Sequence, residues 1–116
     1  MITDLSYLEN MTDGDAGLIS EMIEIFSTQV REFSGLMKKH LDSGNWQELS
    51  KLAHKAKSSV AIMGMRGLAE KLKELEILAQ DENEVQSFPR YIENYILTSE
   101  EAVSELQDYM TNLEKN

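Results

Sequence analysis

WQELSKLAHKAKSSVAIM, residues 46 to 63, repeats its apolar side chains with the period of a helix. On a wheel of about 100° per residue, Trp46, Leu49, Leu52, Ala53, Ala56, Val60 and Met63 share an arc of roughly 100°, the width of a face that packs on a core. Asn45 with Glu48 three residues on forms a capping-box pattern, so a helix is expected from there to about Met63. The same period recurs on both sides of this stretch, strand-like alternation does not, and the chain has one proline. The expected class is therefore all-α.

Working outward, Thr3 or Asp4 caps a short first helix in which Leu5, Leu8 and Met11 share one side. TDGDAG, residues 12 to 17, is a turn with its own capping residues. A long helix follows, with Leu18, Met22, Ile25, Phe26, Val30, Phe33, Leu36, Met37 and Leu41 as its apolar stripe, and DSGN (42 to 45) ends it. Beyond residue 63, Gly64 and Gly67 bracket a break. The next helix uses Leu68, Leu72, Leu75, Leu78 and Ala79 and stops at DENEVQ. Pro89 suits the first turn of a last helix, whose stripe is Phe88, Ile92, Tyr95, Ile96, Val103, Leu106, Met110 and Leu113. Short connections favour antiparallel neighbours. The expected architecture is one domain, residues 1–116: an up-and-down antiparallel four-helix bundle with a short extra N-terminal helix across one end.

Charge narrows the function classes. Twenty-one acidic residues face 11 basic ones, a formal net charge of −10, so a nucleic-acid backbone would be repelled by most of the surface. The absence of cysteine removes disulfides and thiolate metal sites. No apolar run approaches the roughly 20 residues of a membrane span, and MITDLSYLEN lacks the basic start and apolar stretch of a secretory signal. A cytoplasmic protein without a membrane or nucleic-acid partner is expected.

His54 lies roughly 150° from the centre of the core arc on the wheel and therefore points to solvent. Ser58 stands one turn along the same face, and Ala61, Ile62 and Met65 continue it. An outward face that turns small and then apolar suits docking better than solvation. Lys57 is a helical neighbour of the histidine at i+3. Lys51, Lys55 and Arg66 add positive charge nearby in an otherwise acidic chain. Neutral imidazole is a nitrogen nucleophile, and a phosphoryl group on it would carry about two negative charges, which a lysine one turn away partly neutralises. The site has no general base, metal carboxylates or nucleotide loop of its own, so a partner must supply the catalysis.

The segment resembles the histidine-containing phosphotransfer (HPt) domain family, whose centre reads AH-x-x-K-[GS]-[SA]-[SA] followed by a glycine. Here these are Ala53, His54, Lys57, Ser58 and Ser59, then Gly64 ten residues after the histidine. The LxxLE pattern of the next helix (Leu72, Leu75, Glu76), the upstream GD turn and the long helix extend the resemblance over nearly the whole chain. It implies a phosphorelay intermediate of two-component signalling and not an enzyme. His54 would accept a phosphoryl group from the aspartyl phosphate of a response-regulator receiver domain and pass it to another receiver. Lys57 would be its electrostatic neighbour, and Lys51, Ser58, Ala61, Ile62 and Met65 would meet the partner. No cofactor or metal of its own is implied, because family members borrow the receiver's Mg²⁺ and acidic pocket. A hybrid sensor histidine kinase would stand upstream. Ser58 departs from the glycine that many members carry after the lysine, adding bulk beside the ring.

Two other function classes compete with this reading. A metalloenzyme in a helix bundle needs Glu-x-x-His pairs on facing helices, and the sequence has none. A helical adaptor would dock through the same patch without needing His54 or Lys57. His40, near the end of the long helix, suits the helix dipole and is read as structural. The seven methionines serve mostly as core filling. Met1, a few residues ahead of the first helix, favours a free-standing protein, and a monomer is expected because no second large apolar face is evident.

Overall fold

The computed structural model describes residues 1–114 and contains five helices: α1 (Ser6–Met11), α2 (Ala16–Ser43), α3 (Trp46–Ile62), α4 (Arg66–Gln80) and α5 (Phe88–Glu114), with a 3₁₀ turn at Val85–Ser87 before the last. Among the described residues there is no strand, and none of the helices is long and apolar enough to cross a membrane. Asp15 caps α2, its carboxylate accepting from the Leu18 N–H at 3.0 Å. Gly44, in the left-handed region at φ 68°, ends it, and the Asn45 N–H closes on the His40 carbonyl at 2.9 Å. With two residues between α2 and α3 and three between α3 and α4, successive helices run antiparallel. α3 packs against both α2 and α4, and α5 closes the ring against α2 and α4. The molecule measures 48 × 21 × 20 Å, its long axis set by the 28 residues of α2.

The core is built from the inner arcs of the four long helices. α3 contributes Leu49, Leu52, Ala53, Ala56 and Val60, as its wheel predicts. At one end of the bundle, Trp46 opens α3 and meets Phe88, which opens α5, edge to face with ring centroids 5.2 Å apart. At the other end the N-terminal segment crosses the α3–α4 turn. The Asp4 N–H donates to the Met63 carbonyl at 3.0 Å. Glu105 of α5 accepts from the Ile2 N–H at 2.6 Å, the Thr3 N–H at 3.1 Å and the Thr3 hydroxyl at 2.7 Å. Gly64 makes this crossing fit: its φ is 74°, and a Cβ there would collide with the Asp4 backbone.

Several local expectations are corrected. On α2, Leu18, Ile25 and Leu36 are 48%, 47% and 41% exposed, whereas Ile19 and Ile23 are buried. The nine apolar positions assigned to one stripe are two: Phe26, Val30 and Met37 share the core arc with Ile19 and Ile23, while Leu18, Ile25 and Leu36 align about 100° away. Met11, at the last position of α1, is exposed. Asn45 makes no side-chain cap, and Glu48 pairs with Lys51 instead of completing a capping box. Thr3 and Asp4 do not cap α1 either: Thr3 belongs to Glu105, and Asp4 accepts from the Ser6 N–H and hydroxyl ahead of an N-cap at Leu5. Gly67 lies inside α4, so the break is made at Gly64 alone.

Candidate functional site

His54 emerges from the middle of α3, between the flanks that face α4 and α2. The α4 flank is zipped by polar contacts. Gln47 Nε2 donates to the Gln80 carbonyl at 2.9 Å, and Ser50 Oγ donates to the Glu76 carbonyl at 2.7 Å. On the α2 flank, Ser59 Oγ donates to Gln29 Oε1 at 2.7 Å. The imidazole stands between these two seams with 59% of its side chain exposed.

The ring is held from one side only. Both carboxylate oxygens of Glu76 lie 3.1 Å from His54 Nδ1. A carboxylate only accepts, so the pair assigns a proton to Nδ1; in the neutral ring the lone pair then lies on Nε2. No described residue hydrogen-bonds Nε2 on this largely exposed side chain. Lys57 Nζ donates to Glu76 Oε1 at 3.2 Å, so one carboxylate, 23% exposed, bridges lysine and histidine. Burial alone would raise the Glu76 carboxyl. The hydrogen bonds from His54 and Lys57, with the Lys57 charge, outweigh it and hold the group below the ordinary carboxylate range. The site therefore presents an anion at Nδ1 and leaves Nε2 without a hydrogen-bond partner among the described residues.

The residues singled out from sequence fall into four groups. Lys57 is beside the ring, 3.4 Å from Nδ1, but on the side of Glu76 and not of Nε2. Ser58 and Ala61 are exposed on the same helix, with the Ser58 hydroxyl 3.4 Å from the His54 carbonyl, and Ile62 is half-buried at the edge of the core. Lys51 is exposed and paired with Glu48 at 3.3 Å, out of contact with the histidine. Met65 is displaced from the face assigned to it: it is 4% exposed and packs in the core. The wheel fails there because α3 ends at Ile62. Gly64 reverses the chain, and Met65 stands at the N-cap position of α4 instead of one turn further along α3.

Two features went unassigned. Glu76 appeared only as a letter in a pattern, although it is the closest partner of the ring. The second is the outer strip of α2. A groove of about 390 Å³ between α2 and α3 is lined by Met22, Ile25, Phe33, Ser58 and Ile62, and it reaches His54. An open cleft of about 590 Å³ on the other side of the ring is lined by Leu36, His40, Glu48, Lys51 and Lys55. The apolar surface beside the histidine thus belongs as much to α2 as to α3. No cluster of three or more His, Asp or Glu side chains among the described residues is placed to hold a metal ion.

A family model described as the Hpt domain matches residues 21–116, all but α1, the turn after it and the first residues of α2. No curated protein and no solved structure matches the chain. A match over most of the chain agrees with the antiparallel helical bundle, and the chain belongs to the Hpt domain family, the histidine phosphotransfer modules of two-component phosphorelays.

Proposed function

We propose that His54 is the relay residue, phosphorylated on Nε2 by the aspartyl phosphate of one receiver domain and dephosphorylated by the aspartate of another. The observation that carries this is an exposed imidazole whose Nδ1 is tied to Glu76 at 3.1 Å, leaving Nε2 free. In the inbound step the Nε2 lone pair forms a bond to phosphorus. The phosphorus–oxygen bond to the receiver aspartate breaks, and that oxygen leaves as carboxylate. The outbound step reverses these bonds on a second receiver. No described residue hydrogen-bonds Nε2 in this arrangement, so the receiver's acidic pocket and its divalent cation supply most of the charge balance.

Ser58, Ala61 and Ile62 on α3, with Met22, Ile25 and Leu36 on α2, form the surface that meets the receiver. Lys51, Lys55 and Lys57 give its surroundings a positive sign suited to an acidic pocket. Lys57 acts on the phosphoryl group after turning from Glu76 towards Nε2. A hybrid sensor kinase upstream, action as a monomer and a cytoplasmic setting complete the proposal.

Incubation with phosphorus-labelled receiver domains tests it. Label is expected on the native protein, stable to alkali and labile to acid, and absent from His54→Gln. Equal labelling of His54→Gln rejects the assignment. A receiver that binds native protein and His54→Gln alike without transferring label to either favours the adaptor reading instead.

A further inference from the structure

Resting on the receiver-docking part of the phosphorelay reading, we infer that Met22 is an oxidisable modification site. Conversion of its thioether to the sulfoxide weakens the grip on a receiver without touching His54, and a thiol-dependent sulfoxide reductase restores it. The docking groove then carries a reversible redox brake.

The seven methionines differ in their surroundings. Met37, Met63 and Met65 are buried in the core. Met1 and Met11 are exposed, but both lie ahead of α2 and outside the groove between α2 and α3. Met110 is partly buried near the end of α5, also away from that groove. Met22 combines a partly open side chain with a place in the groove wall, beside Ile25, Phe33 and Ile62. Met63 lines the same groove only as its closed floor.

A thioether is soft and polarisable, and it is the one apolar group in this wall that a mild two-electron oxidant changes. Its sulfur attacks one oxygen of hydrogen peroxide and the O–O bond breaks. The sulfur is oxidised by two electrons, and the peroxide is reduced to water. Reversal takes two thiols, which leave as a disulfide while the sulfoxide oxygen leaves as water. The sulfoxide is polar and chiral where the thioether was apolar and flexible.

The side-chain donors that line the groove, among the described residues, are engaged or distant. Ser59 gives its hydroxyl to Gln29 at 2.7 Å, and the Ser58 hydroxyl lies 3.4 Å from the His54 carbonyl. The Gln29 amide is two turns from Met22, about 10 Å along α2. Because Gln29 meets Ser59, antiparallel pairing sets Lys55 level with Phe33, roughly 16 Å from Met22 along the axis. By the same count His54 lies about 18 Å away, so the ring keeps its setting when Met22 is oxidised. A receiver seated on the groove excludes water, and a sulfoxide oxygen left unpaired beneath it weakens binding about tenfold.

Graded treatment with hydrogen peroxide, quenched by catalase before a receiver is added, tests this. Residue-resolved mass spectrometry follows each methionine, and calorimetric titration measures the affinity for a receiver domain that labels the native protein. Each protein is compared with itself before and after treatment. Met22 and Met11 are expected to oxidise at doses that leave Met37, Met63 and Met65 intact. At those doses affinity is expected to fall about tenfold in the native protein and in Met11→Leu, and to recover with sulfoxide reductase and a thiol. In Met22→Leu, a volume-conserving change whose folding is checked by urea unfolding, treatment is expected to alter affinity by less than about twofold. Three results overturn the inference: Met22 resisting until the core methionines react, undiminished affinity once Met22 is oxidised, or an equal loss in Met22→Leu. A native protein that no receiver labels before peroxide is added is a different failure, because it rejects the relay reading on which the inference rests.

Discussion

Replacing Gly64 by alanine separates two costs that usually arrive together. The first is the backbone: a side chain at φ 74° costs about 1–2 kcal/mol. The second comes from the N-terminal segment, because the new Cβ falls on the Asp4 backbone and the segment must lift. Lifting breaks the hydrogen bond from the Asp4 N–H to the Met63 carbonyl, worth about 1 kcal/mol. It also uncovers part of Leu5, now 7% exposed, at a further cost of about 1 kcal/mol, a fraction of the roughly 1.5–3 kcal/mol for a whole leucine. The total loss is about 3–4 kcal/mol. Gly44→Ala is the internal control. Its φ is 68°, and its nearest neighbour is an ordinary contact with the Trp46 ring at 3.8 Å, so only the backbone cost of about 1–2 kcal/mol applies. Urea unfolding followed by the fluorescence of Trp46, the only tryptophan, measures both. The difference is expected to be about 2 kcal/mol. Equal losses for the two variants would refute the close approach of residues 2–5 to the α3–α4 turn.

On the outer strip of α2, Ile25→Glu is expected to weaken receiver binding at least about tenfold while changing stability by less than about 0.5 kcal/mol, since the side chain is half exposed; titration by calorimetry and urea unfolding check the two parts. Glu105 gives a pH prediction. Burial raises its carboxyl, but the hydrogen bonds from Thr3 and the Ile2 N–H outweigh this and lower it from 4.5. A carboxyl lowered on folding stabilises above its unfolded value and loses that contribution as pH falls through the folded one. The native protein is therefore expected to lose stability below about pH 4.5 more steeply than Glu105→Gln, and parallel acid unfolding curves would count against the clamp.

The bundle was legible because each long helix hides one arc, and the connections are too short for anything but antiparallel neighbours. The outward direction of His54 was legible for the same reason: the wheel is reliable in mid-helix. It failed at Met65, where the helix had already ended. It also misled on α2, because counting apolar residues at spacings of three and four merges two faces whenever both are apolar. Plotting angles instead of spacings separates Leu18, Ile25 and Leu36 from the core set. Glu76 required pairing across a turn, which no single-helix pattern supplies. Yet a signal was present. In an antiparallel hairpin folded at Gly64, Gln47 and Gln80, Ser50 and Glu76, and His54 and Glu76 are nearly equidistant from the turn in sequence, and these are the pairs that meet.

The division of α2 into an inner and an outer strip also allows the relay to be rewired. On the proposed function, reactivity would be lodged where α3 meets α4, at the His54 imidazole. Much of the surface that a partner would grip is lodged on a different helix. Exchanging Ile25 and Leu36 for the side chains of another such module would then transplant partner choice while the proposed reacting nitrogen kept its setting.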